Sequence, residues 1–161
     1  VLEDCGSMEL CDINIEWFAT SHDANEPVGY VCRHGKKKIG LATDTGMITK
    51  QMANALSDVD FLVLEANHDE KMLATGKYPY YLKKRIHSNL GHLSNNAAGK
   101  ALLDLAGEKT KGVLLAHLSQ ENNLPSLALA TVGDILNRNK TDFDFDLKEA
   151  PRSQSTSCIR L

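Results

Sequence analysis

Apolar and polar residues alternate early in the chain. Ile13, Ile15 and Trp17 interleave with Asp12, Asn14 and Glu16, so residues 8–20 predict one half-buried strand. Val28–Cys32 and Lys38–Ala42 predict two more, joined by a hairpin turn over Arg33-His34-Gly35-Lys36-Lys37, where the Gly and the charges mark solvent. After Asp44 the period lengthens, and Ile48, Met52, Ala55 and Leu56 share one helical face. Phe61-Leu62-Val63-Leu64 is a short continuous apolar run ending at Glu65, the pattern of a strand buried on both faces. An irregular helical stretch follows. Residues 94–106 predict a regular helix with Ser94 as N-cap and Gly107 as stop. Val113-Leu114-Leu115 repeats the buried-strand pattern up to His117, a helix opening at Pro125 runs through Leu129, Val132 and Leu136, and Phe143–Leu147 predicts a last strand. Strands alternating with helices give an α/β architecture, with 1–150 as one domain and 151–161 as a loosely held polar tail.

Three of these strand ends carry chemistry. Ser21-His22-Asp23-Ala24, Ala42-Thr43-Asp44-Thr45-Gly46 and Ala116-His117-Leu118-Ser119 each put a metal-capable side chain where an apolar run gives way to small polar residues. Ligands at the ends of separate strands are how a rigid sheet edge builds a metal site. The set is incomplete: two His and one Asp hold no catalytic metal pair, and no His-x-His or His-x-x-x-His occurs in the chain.

With 161 residues and 42% hydrophobic content, the chain suits one domain with a core. Its net charge of −3 excludes a generally basic nucleic-acid-coating protein but leaves room for a local basic channel. Cys5, Cys11, Cys32 and Cys158 show no Cys-x-x-Cys spacing and predict idle thiols in a reducing, cytoplasmic setting. No apolar run approaches the ~20 residues of a membrane span, and no basic-then-apolar leader is visible. The opening Val1, in place of Met, predicts a piece of a longer polypeptide or a processed product.

Five segments occur in a telling order: Phe18-Ala-Thr-Ser-His22-Asp-Ala-Asn-Glu-Pro-Val-Gly-Tyr30, Leu41-Ala-Thr-Asp44-Thr-Gly46, Leu64-Glu65-Ala-Asn67-His68-Asp69, Gly91-His92-Leu-Ser94-Asn95 and Ala116-His117-Leu-Ser-Gln-Glu-Asn-Asn123. Together, over about Leu10 to Pro151, they resemble the C-terminal half of a metallo-β-lactamase-fold hydrolase, nearest the bacterial WalJ/YycJ-type exonuclease branch. The resemblance implies that residues 1–150 form the C-terminal half of an αββα four-layer fold, a mixed sheet flanked by helices. The N-terminal half, with its His-x-His-x-Asp-His loop, is then absent from this chain. It further implies two divalent ions, zinc or manganese, with His22 and His117 each on one of them and Asp44 bridging both. Glu65 would orient His92, which acts near the leaving group. Relatives that process tRNA carry Thr two positions after that acidic residue, where Asn67 stands here. His68 and Asn67 are candidate supports behind the ligands.

The activity so implied is a two-metal phosphodiesterase, a DNA exonuclease with metal-activated hydroxide as nucleophile and Asp44, Glu65 and His92 as catalytic groups. Two rivals stand beside it: a lactone or thioester hydrolase of the same fold, and an inactive half serving as a structural or interaction module. In Tyr78-Pro-Tyr80-Tyr81-Leu82-Lys83-Lys84-Arg85-Ile86, aromatics interleave with consecutive cations, so Tyr81, Lys83, Lys84 and Arg85 could meet nucleic acid. An amphipathic helix with Tyr and Ile turned inward would read the same. His34 and His87 have no motif around them and predict surface positions. One half of a two-sheet sandwich would expose its inner face, so the expected partners are a nucleic acid, DNA first, and the missing half, from a larger polypeptide, a second chain or a self-pairing dimer.

Overall fold

A computed structural model describes residues 5–139 and 144–161 as seven strands and five helices. β1 (Cys5–Leu10), β2 (Ile13–Ala19), β3 (Val28–His34) and β4 (Lys37–Ala42) form an antiparallel meander. β5 (Phe61–Glu65), β6 (Gly112–Ala116) and β7 (Asp146–Glu149) extend it in parallel, and the strands stand in chain order across one mixed sheet. The connections hold α1 (Lys50–Leu56), α2 (Glu70–Thr75), α3 (Tyr80–Ile86), α4 (Asn95–Leu105) and α5 (Pro125–Arg138).

Parallel crossovers are right-handed, and β4 to β7 advance in one direction, so the connecting helices collect on one face. Burial agrees. Met52 and Leu56 of α1, Ala98, Leu102 and Leu105 of α4, and Ala128, Val132 and Leu136 of α5 share a core with Phe18, Val31, Ala42, Leu62, Leu64, Val113 and Leu115 of the sheet. The opposite face stays open among the described residues. Met8, Ile15, Cys32, Ile39 and Phe61 stand in register across five strands, and Trp17, Tyr30, Leu41, Val63 and Leu114 form a second row beside them. Met8, Ile39 and Leu41 are each more than a third exposed, and no residue of either row is buried. The expectation that Phe61–Leu64 is covered on both faces is therefore half met: Leu62 and Leu64 are buried, whereas Phe61 and Val63 look out from the uncovered side.

The helix ends follow their side chains. The Ser94 hydroxyl accepts from the Ala97 amide, Thr49 and Asp69 cap α1 and α2 in the same way, and Pro125 opens α5 where its missing N–H costs nothing. Ile48, expected on the first helix, lies just before its cap and still packs on the core. At Gly107 the stop has a different cause from the one the sequence suggested. Ala106 leaves the helix in extended backbone, and Gly107 follows it without a left-handed turn, with the Asp58 side chain closest to where a Cβ would stand.

Three further expectations change. Residues 8–20 are two strands rather than one, folded back at Cys11-Asp12 with Cys11 at φ 57. The last strand lies at Asp146–Glu149, and Phe143 falls outside the described residues. The polar tail is tied at its start, where Arg152 Nη2 donates to the Ser119 carbonyl at 2.7 Å. Among the described residues no helix is long and apolar enough to cross a membrane.

Candidate metal centre

β2 and β4 are both antiparallel to β3, and β5 and β6 run parallel to β4, so these four strands point the same way. Their C-terminal ends share one sheet edge, where α/β sheets carry their sites. His22 lies just past β2, Asp44 just past β4, Glu65 ends β5, and His117 follows β6. His92 joins them from the turn before α4. Asp44 and His117 both sit at φ 55, a left-handed backbone that non-glycine residues hold only when their surroundings enforce it.

Glu65 organises this edge. Its side chain is fully buried and accepts four hydrogen bonds. His92 Nδ1 and His117 Nδ1 each donate to Oε1 at 2.7 Å, while the Thr45 and Leu93 amides donate to Oε2 at 2.9 and 3.3 Å. Burial alone would raise the Glu65 carboxyl. The bonds from His117 and His92, the His92 charge and the Thr45 amide outweigh it and hold the carboxyl below its ordinary value. The same bond, opposed by burial, raises His117. The sequence reading paired Glu65 with His92 alone, and its hold on His117 is new.

The donor set fits divalent metal. A carboxylate or carbonyl oxygen can only accept, so its ring partner presents Nδ1–H and leaves Nε2 for a ligand. His92 and His117 are fixed this way by Glu65, and His22 by the Gly91 carbonyl at 2.8 Å. Asp44 Oδ1 lies between the expected ligands, 3.9 Å from His22 Nε2 and 3.7 Å from His117 Nδ1. His92 stands in the middle, its ring 4.8 Å from that of His22 and 5.1 Å from that of His117. It belongs to two metal-capable clusters, His22–Asp44–His92 and Glu65–His92–His117. Imidazole nitrogen and carboxylate oxygen suit zinc or manganese alike.

The loops are locked by backbone contact. The Gly46 amide donates to the Ser21 carbonyl and the Asp23 amide to the Leu90 carbonyl. A side chain at Gly46 would strike the main chain of Ser88 and Asn89, and one at Gly91 that of Arg85 and Ile86. Asn67 Nδ2 donates to the His117 carbonyl at 2.8 Å and so supports that residue's left-handed backbone. Beneath them two buried amides close on each other. Asn95 Nδ2 donates to Asn123 Oδ1 at 2.9 Å, and Asn123 Nδ2 returns to Asn95 Oδ1 at 2.8 Å while also reaching the Ala66 and Asn67 carbonyls. The sequence reading quoted Asn123 in a motif but gave it no role. Asn123→Ala strands several buried polar groups and should lower stability by about 2–4 kcal/mol in urea unfolding. A loss under about 0.5 kcal/mol would mean that the amide pair does not hold these loops.

His68 does not join the site. It is fully buried, neither ring nitrogen has a hydrogen-bond partner among the described residues, and its ring neighbour is His87, exposed as expected, with centroids 6.1 Å apart. Burial, then the neighbouring His87 charge, pushes its pKa down to about 4. The unfolded chain, with an ordinary His pKa near 6.5, therefore binds more protons than the native one between those values. Stability from this group is full above pH 6.5 and falls by up to about 1.4 kcal/mol per pH unit down to about 4. Urea midpoints at pH 7, 6 and 5 should show this slope in the wild type and a flatter one in His68→Phe. Equal slopes would refute the role of His68.

The basic segment divides. α3 has no buried residue, and Tyr80 and Tyr81 are 76% and 74% exposed, so the inward-facing amphipathic helix is not what forms. The Arg85 guanidinium is bidentate with Asp23, Nη2 to Oδ1 at 2.8 Å, and holds the Asp23 carboxyl below its ordinary range. Arg85, Tyr78 and Leu82 border a hollow of about 400 Å³ shared with His92 and His117. Lys83, Lys84 and Tyr80 border another. His34 is exposed and paired with Asp12 at 2.8 Å.

Comparison with known proteins adds the family. Exodeoxyribonuclease YycJ of Bacillus anthracis is 41% identical over 125 residues, which is 78% of this chain and 47% of that protein. Exodeoxyribonuclease WalJ of Streptococcus pneumoniae is 40% identical over 146 residues, 91% of this chain and 54% of that protein. The chain thus spans about half the length of the relatives it matches. Among solved structures, the metallo-β-lactamase fold protein YhfI of Bacillus subtilis superposes with a TM-score of 0.66 at 14% identity, covering 92% of this chain and 51% of that one. Zn-bound PqqB of Methylobacterium extorquens gives 0.62 at 16% identity, covering 93% and 48%. These two share the fold. A sequence model of the beta-lactamase superfamily domain matches residues 2–118, the span that carries His22, Asp44, Glu65, His92 and His117, and the chain belongs to the metallo-β-lactamase superfamily.

Proposed function

We propose that this chain is one half of a two-metal phosphodiesterase that cuts nucleic acid, in the first place a DNA exonuclease. The complete enzyme, meaning this chain with the half that brings the remaining ligands and a second sheet, would carry the activity. The observation that carries the reading is the single Glu65 oxygen that fixes both His117, an expected ligand, and His92, whose Nε2 is left free. The exodeoxyribonuclease relatives support it, and the uncovered apolar sheet face supports the need for a second half.

His22 and His117, each through Nε2, and Asp44 between them would hold this half's share of the metal site. A pair of divalent ions, zinc or manganese, supplies when bound a water acidic enough to attack at neutral pH and positive charge against a phosphate. The chain's own groups do the rest. Glu65 keeps the His92 ring in one orientation by accepting from Nδ1. In the protonated ring, Nε2–H is the proton given to the leaving oxygen. Gly91 and Asn67 hold the backbones and rings from which the ligands project, so little reorganisation is needed during reaction. Lys83, Lys84 and Tyr81 remain for contact with the substrate strand, while Arg85, committed to Asp23, holds α3 against the His22 loop.

Hydrolysis of bis(p-nitrophenyl) phosphate and of end-labelled DNA by the complete enzyme tests the reading against lactone and thioester substrates. Phosphodiester turnover should exceed the others by at least about 100-fold. Preference for a lactone or thioester would replace this reading with the rival of the same fold.

A further inference from the structure

Helix α3 separates two hollows. Leu82, Arg85 and Ile86 face the one that contains His92 and His117. Tyr80, Lys83, Lys84 and His87 line the other, about 390 Å³, whose far wall is Leu73, Ala74 and Glu70 from α2. This second hollow lies outside the metal centre, and its chemistry is unlike that centre. It offers an aromatic ring that is 76% exposed, two ammonium groups, and an apolar wall. Lys84 Nζ already stands over the Tyr80 ring, 5.9 Å from its centroid, and Lys83 Nζ is held at the rim by the Ala74 carbonyl at 2.8 Å. The one acidic residue of the lining, Glu70, has Oε1 engaged by the Ser94 hydroxyl at 2.9 Å, and the two ammonium groups outnumber it.

We infer that the hollow between α2 and α3 is an accessory site for an unpaired stretch of the nucleic-acid strand being cut, with a base stacked on Tyr80 and phosphates met by Lys83 and Lys84. This rests on the phosphodiesterase reading. An exposed aromatic face beside cations is the combination that holds single strands without reading sequence, because every base has a flat face and every linkage a charge. A duplex keeps its bases stacked inside and cannot use the ring, so the occupant is unpaired. The arrangement also fits in scale. A helix is about 10–12 Å across with its side chains, a width that a short run of an extended unpaired strand can span. A strand whose phosphate lies near His92 would pass over α3 and place a neighbouring base on Tyr80.

Binding of fluorescein-labelled oligothymidylates of two to eight residues to the chelator-treated complete enzyme tests this without cleavage. In the wild type, affinity should rise steeply once the oligomer is long enough to reach both hollows. Tyr80→Ala should remove that rise and weaken the octamer by about 10-fold or more, and Tyr80→Phe, which keeps the stacking face, should restore it. Lys84→Ala should lower the slope of log affinity against log salt by about 0.7. Octamer binding unchanged in Tyr80→Ala would overturn the inference, as would a Tyr80→Phe variant as weak as the Ala form. Equal binding of an oligoglutamate of matched charge would also overturn it, by showing an anion surface only. The two readings fail separately. Turnover of bis(p-nitrophenyl) phosphate together with octamer binding unchanged in Tyr80→Ala sinks the accessory site alone, whereas absence of phosphodiester turnover sinks the activity beneath it.

Discussion

Replacing Glu65 with Gln should lower kcat of the complete enzyme by about 10²- to 10⁴-fold and weaken metal binding by about 10- to 100-fold. Four donors converge on this carboxylate: two imidazole Nδ1–H groups on one oxygen and two backbone amides on the other. An amide side chain has one acceptor oxygen. Its NH₂ must then face two further N–H donors, either the rings or the backbone. If it faces the rings, His92 and His117 lose their shared anchor together. If it faces the Thr45 and Leu93 amides, two buried donors at the Asp44 and His92 loops go unmet, at about 1–3 kcal/mol each. Steady-state kinetics with a competitive zinc titration would measure both losses. Activity and metal affinity within about 3-fold of wild type would show that Glu65 positions neither ring.

His92→Ala separates the two roles that the geometry allows this ring. As the proton donor to the leaving oxygen, its loss should cost about 10²- to 10⁴-fold in kcat with the metal content unchanged. The effect should shrink on a substrate such as bis(p-nitrophenyl) phosphate, whose leaving group needs no proton. As a ligand within the His22–Asp44–His92 cluster, its loss would instead take metal with it, and the deficit would be equal on both substrates. Elemental analysis beside the two rate measurements decides between them. The account expects full metal and an unequal loss.

The strand ends were legible because each of them announces itself locally. His22, Asp44, Glu65 and His117 stand where a β-prone run stops, and the caps at Ser94 and Pro125 follow from short-range chemistry. What was not legible depends on which strands lie side by side. Glu65 pairs in register with Ala116, which brings its carboxylate to the ring of the next residue, and no spacing in the sequence shows that the same oxygen also serves His92. The Arg85–Asp23 pair joins segments 62 residues apart and changes an expected phosphate contact into a brace between α3 and the His22 loop. The first hairpin was hidden for a local reason. Its turn, Cys11-Asp12, has neither Gly nor Asn to mark it, although Cys11 adopts the left-handed backbone that such residues favour. An open sheet face, which the resemblance to half of a two-sheet sandwich led us to expect, is seen in Met8, Ile39 and Leu41.

The most direct test of the account is metal stoichiometry. The chain alone and the complete enzyme would be loaded with zinc or manganese under the same conditions, desalted, and measured by elemental analysis with native mass in parallel. The three ligands proposed on this chain, His22, Asp44 and His117, would not complete a pair of sites. The account therefore predicts near zero metal on the chain alone and near two on the complete enzyme. Two tightly bound ions on the monomeric chain alone would contradict it, because the chain would then hold a complete centre that needs no second half.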